Sequence, residues 1–139
     1  MCLLGQGCDD KNTKVTKLDQ VDRSLCQFST GSCTKHVSGL DFSIMIDPET
    51  VPSEKILKIS LITSVKVQNL SSRIEGRDMF MGAIPVSLKP IDHKAYYADV
   101  ILGSCASGYM VWRLFVSADI DGKQVNTFFD FLADNELSI

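Results

Sequence analysis

The sequence has no Cys-x-x-Cys pair, although it carries five cysteines, Cys2, Cys8, Cys26, Cys33 and Cys105. That absence removes zinc ribbons and thioredoxin-type redox motifs. Only two histidines are present. His36 lies close to Cys33, and one His with one Cys is too few for a zinc site. His93 lies in the polar turn "DHKAYY", where a solvated histidine is the default. No apolar run approaches the length of a membrane span. Lys and Arg number 14 against 17 Asp and Glu, a net charge of −3. They form no basic cluster, so nothing draws the chain to nucleic acid or to an anionic membrane surface. No amphipathic helical period of useful length occurs. Ser104 has no His and Asp in a triad order. Asp119 to Gly122 has too few oxygen ligands at EF-hand spacing. Glu75 and Asp78 stand beside Arg73 and Arg77, which makes them solvated ion pairs rather than an acid and a base. The reading is therefore non-enzymatic.

What is present fits a single domain. The chain has 139 residues, 45% hydrophobic and 22% charged, enough for a real core. Its first residues, "MCLLGQGCDDKN", are short and apolar and turn sharply polar at Cys8. They resemble the tail of a bacterial lipoprotein signal, which ends in small residues before a lipid-modified cysteine. The resemblance implies a signal-like segment over 1–8, lipidation at Cys8 and an extracytoplasmic location. The alternative is a plain cytosolic N-terminus. Residues 9–38 are polar and without apolar period, and read as an arm or tether. Within it, "CQFSTGSC" lets Ser-Thr-Gly-Ser turn between Cys26 and Cys33. In an oxidising compartment these two are expected to bridge, leaving Cys105 free.

From Gly39 the pattern has period two, and residues 39–135 read as the folded domain. Leu40, Phe42, Ile44 and Ile46 share one face in "LDFSIMID". Leu57, Ile59 and Leu61 alternate with polar residues in "KILKISLIT". "SVKVQ" supplies Val65 and Val67, and "NLSSRIEG" is less regular. "IPVSLKPI" turns Val86 and Leu88 inward. Tyr96, Ala98, Val100 and Leu102 form another face, and Trp112, Leu114, Val116, Ala118 and Ile120 the cleanest one. Asp121-Gly122 signals a hairpin turn, after which Val125, Thr127, Phe129 and Phe131 align. About seven short strands, each apolar on one face, predict an all-β, immunoglobulin-like antiparallel β-sandwich with a polar N-terminal arm. A small up-and-down barrel is the alternative.

Two loops carry unusual chemistry. "GRDMFMGAIP" places Met79 and Met81 two residues apart between Gly76 and Gly82. "GSCASGYMVW" places Cys105 before Met110 and Trp112. If their strands pair as hairpins, Met79, Met81, Cys105 and Met110 come to one rim. Thioether and thiolate sulfur favour Cu(I). The competing reading is that the methionines fill irregular space at an open end of the sandwich.

The run "MFMGAIPVSLKPIDHKAYYADVILGSCASGYMVWRLFVSADIDGK" resembles a group of small bacterial envelope proteins. Its layout is also similar to the FixH and YtkA-like β-sandwich domains, some of which are associated with copper-oxidase assembly. The likeness covers about residues 24–132, with Met79, Met81, Gly82, Cys105, Met110 and Trp112 as pattern positions. It implies fold and compartment more than activity. The expectation is a periplasmic binding or assembly module with an envelope protein partner, no nucleic acid, no cofactor, and membrane contact only through a lipid anchor. A copper-handling protein using Met and Cys sulfur is the alternative.

Overall fold

The computed structural model describes residues 24–104 and 110–134. Cys2, Cys8 and Cys105 lie outside these, and with them the lipidation and free-thiol readings. Nine strands form two antiparallel sheets, and no helix occurs among the described residues. β1 (Cys33–Val37), β2 (Leu40–Asp47), β3 (Ile56–Thr63), β7 (Ala95–Ile101) and β6 (Lys89–Pro90) form a five-stranded sheet in the order β1-β2-β3-β7-β6. β5 (Ile84–Val86), β4 (Gln68–Gly76), β8 (Val111–Ile120) and β9 (Lys123–Leu132) form a four-stranded sheet in the order β5-β4-β8-β9. The architecture is the expected all-β sandwich, and the sheets do not close into a barrel.

The alternating residues meet between the sheets. Phe42, Ile44 and Ile46 of β2 and Leu57, Ile59 and Leu61 of β3 are buried, as are Trp112, Leu114 and Val116 of β8 and Phe129 and Phe131 of β9. Each such side chain contributes roughly 1.5–3 kcal/mol of hydrophobic stabilisation. Period two thus assigns the faces correctly wherever it is unbroken.

The count of nine instead of about seven has two causes, and one further strand lies later in the chain than expected. Residues 33–37, expected in the polar arm, pair with β2 as β1, with Cys33 opposite Ile44 and Val37 opposite Leu40. Their link is the two-residue turn Ser38-Gly39, both at positive φ (52° and 77°), which matches the twist of flanking strands. The run "IPVSLKPI" is two strands. β5 pairs with β4 and β6 with β7, so the chain changes sheets between Val86 and Lys89. Pro85 and Pro90 fall on these short edge strands, where a missing N–H costs no ladder bond. Finally, Val65 and Val67 precede the strand rather than form it. β4 is the polar run "QNLSSRIEG". Its period is hidden by Ser72 at an inward position and by a register shift between Gln68 and Ser71.

The opposite edge of the sandwich is closed by residues 24–33. Leu25 makes a parallel bridge to Asp130, and the Cys26 N–H donates to the Asp130 carbonyl at 2.7 Å. Phe28 is buried, its ring centroid 6.1 Å from that of Phe131. Cys26 is disulfide-bonded to Cys33, the first residue of β1. The bridge therefore links a segment held by the four-stranded sheet to a strand of the five-stranded one.

Candidate functional site

The chain leaves β4 at Gly76, and the next residues form an exposed turn at one end of the sandwich. Gly76 lies opposite Trp112 in the β4–β8 ladder. A Cβ at Gly76 would collide with the Met79 carbonyl oxygen and stand 2.6 Å from the Met110 methyl carbon. Glycine is required here because the turn folds back directly over it. The Arg77 N–H then donates to the Val111 carbonyl at 2.9 Å, fixing the start of the turn to β8. Gly82, at φ 85°, takes the left-handed conformation that lets the chain enter β5.

This fixed turn presents three consecutive apolar side chains to solvent. Met79 is 50% exposed, Phe80 76% and Met81 39%. The two methionines therefore do not fill the end of the sandwich. Met110 does: it is buried, and its methyl packs beside Gly76. Met110 and the Met79 backbone accordingly meet at one rim, while the Met79 and Met81 sulfur-bearing side chains remain accessible. Among the described residues no group of three or more His, Cys, Asp or Glu is arranged to hold a metal ion.

A charged cluster supports the turn from the solvent face of the four-stranded sheet. Asp130 of β9 is buried, 3% exposed, and accepts from Arg113 Nε at 2.7 Å and Nη2 at 3.0 Å. Arg77 Nη1 stands 3.6 Å from the same carboxylate. The Arg77 guanidinium also donates to both Asp78 oxygens at 3.0 Å, and to Ser24 Oγ at 3.4 Å. The hydrogen bond to Asp130 is the largest effect holding the Arg113 pKa above its ordinary value, with burial opposing it. These arginines are structural ties. They pin the turn, β8, β9 and the N-terminal segment together, and their acids are engaged.

Other residues singled out by sequence are placed apart. His36 Nδ1 pairs with Asp41 Oδ1 on the exposed β1–β2 hairpin. Ser104 donates to Glu54 Oε2 at 2.5 Å rather than to a base. Asp119 accepts from Asn69 Nδ2 at 2.7 Å. Sequence reasoning missed the pairing of Asp130 with Arg113, and its only trace was an acidic residue within the apolar run "FFDFL". Among the described residues no helix is long and apolar enough to cross a membrane.

No protein-family model matches the chain, and no curated protein matches it. Among solved structures, the chain is similar to a crystal structure of a DUF4785 family protein from Legionella pneumophila subsp. pneumophila str. Philadelphia 1. The TM-score is 0.50 at 11% identity, over 68% of this chain and 28% of that one. The chain thus spans little more than a quarter of the length of that bacterial protein, and what the two share is the β-sandwich fold.

Proposed function

We propose that this protein is a non-enzymatic binding or assembly module of the bacterial envelope, anchored through Cys8 or secreted. The observation that carries the reading is the Met79-Phe80-Met81 turn. Exposing three adjacent apolar side chains costs solubility unless a partner covers them. The turn is also pre-shaped, because Gly76, the Arg77–Val111 bond and the Arg77–Asp130 contact fix it, so little ordering cost remains on binding. Phe and Met are enriched at the centres of protein interfaces. The Cys26–Cys33 disulfide fits an oxidising compartment such as the periplasm. The resemblance to FixH and YtkA-like domains adds to the same reading.

The test is site-specific photo-crosslinking from position 80 in the native host. A discrete adduct is expected, lost when Met79 and Met81 are both changed to Ser. An adduct that forms equally from exposed Ile91, or none from position 80, would refute the contact. A second reading, Cu(I) handling, has one specific observation in its favour: the Met79 and Met81 thioethers are open to solvent rather than consumed by packing. Met110 is less available to it, being buried beside Gly76.

A further inference from the structure

The solvent face of the four-stranded sheet carries three cross-strand rows. They are Ser71–Ser117–Asn126, Arg73–Phe115–Phe128 and Glu75–Arg113–Asp130. In the middle row Arg73 is held on two sides. Its guanidinium carbon lies 4.0 Å from the Phe115 ring centroid, and its Nε donates to Glu75 Oε2 at 2.7 Å. Stacking and a charge-assisted bond together fix a side chain that would otherwise sample many rotamers. Its Nη1 and Nη2 have no hydrogen-bond partner among the described residues. A pinned guanidinium with those N–H groups free is shaped to receive an oxyanion in a two-pronged contact.

The adjoining part of the same sheet is shaped to match. A bulge falls between Gln68 and Ser71, with Asn69 at φ 52°. The Asn69 side chain donates to Asp119 at 2.7 Å, which holds that unusual conformation. Bulges recur beside binding sites because they re-aim side chains. Next to this one is an open depression of about 220 Å³ lined by Ser71, Ser72, Arg73, Phe115 and Ser117. That is smaller than the roughly 300–1,000 Å³ of sites for drug-sized ligands, so it suits one small group. Ser72 Oγ donates to the Val86 carbonyl at 3.1 Å and Ser117 Oγ to Asn126 Oδ1 at 2.5 Å. Ser117 Oγ keeps lone pairs for a ligand hydroxyl and Ser71 adds an exposed hydroxyl, whereas the Ser72 side chain is directed inward.

We propose that this depression binds a small acidic sugar unit, a carboxylate or phosphate on a hydroxylated ring, with Arg73 receiving the oxyanion and Ser71 and Ser117 the ring hydroxyls. The site is separate from the Met79–Met81 contact and does not depend on it.

Nuclear magnetic resonance titration of the isotope-labelled protein at low salt tests it. The probes are glucuronate, glucose 6-phosphate, neutral glucose and inorganic phosphate. At least one sugar acid is expected to shift the Ser71, Ser72 and Ser117 amides and the Arg73 Nε–H signal. Which acid does so identifies the source of the anion. Arg73→Gln should abolish the response and Arg73→Lys should weaken it about tenfold, because lysine cannot make the two-pronged contact. Ser71→Ala, at an exposed position, should weaken it with the fold unchanged. No response to either sugar acid would overturn the proposal. So would an equal response to glucose or to inorganic phosphate, or a response that survives Arg73→Gln in a folded protein.

Discussion

Arg113 and Asp130 face each other across β8 and β9, joined by hydrogen bonds of 2.7 and 3.0 Å, yet their side chains are 30% and 3% exposed respectively. The pair is therefore asymmetric. Removing Arg113 strands a buried carboxylate with Arg77 as its remaining cation, whereas removing the charge of Asp130 leaves a guanidinium that can reach water. Arg113→Met should cost about 3 kcal/mol, the low end of the range for breaking a buried pair. Asp130→Asn, which keeps the shape and one acceptor, should cost about 1–2 kcal/mol. Urea unfolding of both variants checks the order, and equal costs would show that burial does not set it.

The Cys26–Cys33 bridge closes a short loop but ties two sheets together. Cys26→Ser with Cys33→Ser should lower stability by about 2–3 kcal/mol from chain entropy. Loosening of Phe28 from Phe131 should follow, read as faster amide exchange at Cys26, whose N–H bonds to β9. Peptide mapping without reductant should recover the Cys26–Cys33 link, and a link from Cys105 to either would overturn the pairing.

Gly76→Ala should destabilise by about 1–3 kcal/mol, because backbone rather than a flexible side-chain tip stands in the way. The Met79 carbonyl would have to move, carrying the exposed turn with it. Loss of the position-80 crosslink in a folded Gly76→Ala protein is therefore expected, and a retained crosslink would mean the turn is not set by this glycine.

Trp112 is 1% exposed and its Nε1–H has no hydrogen-bond partner among the described residues. Trp112→Ala should cost about 3–5 kcal/mol through lost burial and a cavity. Trp112→Phe should cost much less, since it keeps a ring and removes an unsatisfied donor that itself costs roughly 1–3 kcal/mol. Thermal unfolding of the two variants separates these terms.

Met79→Leu with Met81→Leu conserves volume and apolarity at exposed positions, so stability should change by less than about 0.5 kcal/mol. The same double variant tests the metal reading. Stoichiometric Cu(I) bound by the parent and lost in the variant would make the turn a ligand loop. Binding that then survived Cys105→Ser would exclude that thiolate from the ligand set. We expect no tight Cu(I) binding to be lost.

Part of this architecture is legible in the amino-acid pattern. Unbroken alternation places Phe42, Ile44, Trp112, Leu114, Phe129 and Phe131 in the core, and Asp121-Gly122 forms its hairpin. The Ser-Thr-Gly-Ser turn brings Cys26 and Cys33 within bridging reach. These are local signals, carried by neighbours two to seven residues apart. "NLSSRIEG" is illegible as a strand because a serine faces inward and a bulge shifts the period in mid-run. The exposure of Met79 and Met81 is illegible because alternation assigns faces only to residues inside a ladder.

Strand composition and faces were thus determined by the sequence itself, since side-chain direction reverses at every residue of an extended chain. Tertiary structure decided which strands became neighbours, that "IPVSLKP" changes sheets, and that the disulfide joins them. It alone brought Arg73 over Phe115, Arg113 against Asp130 and Met110 beneath Gly76. Each contact pairs residues at least 17 apart in the chain, a separation readable from the numbering. Local pattern fixes which face of a strand is apolar, but the partner across the ladder is set by the packing of the whole core.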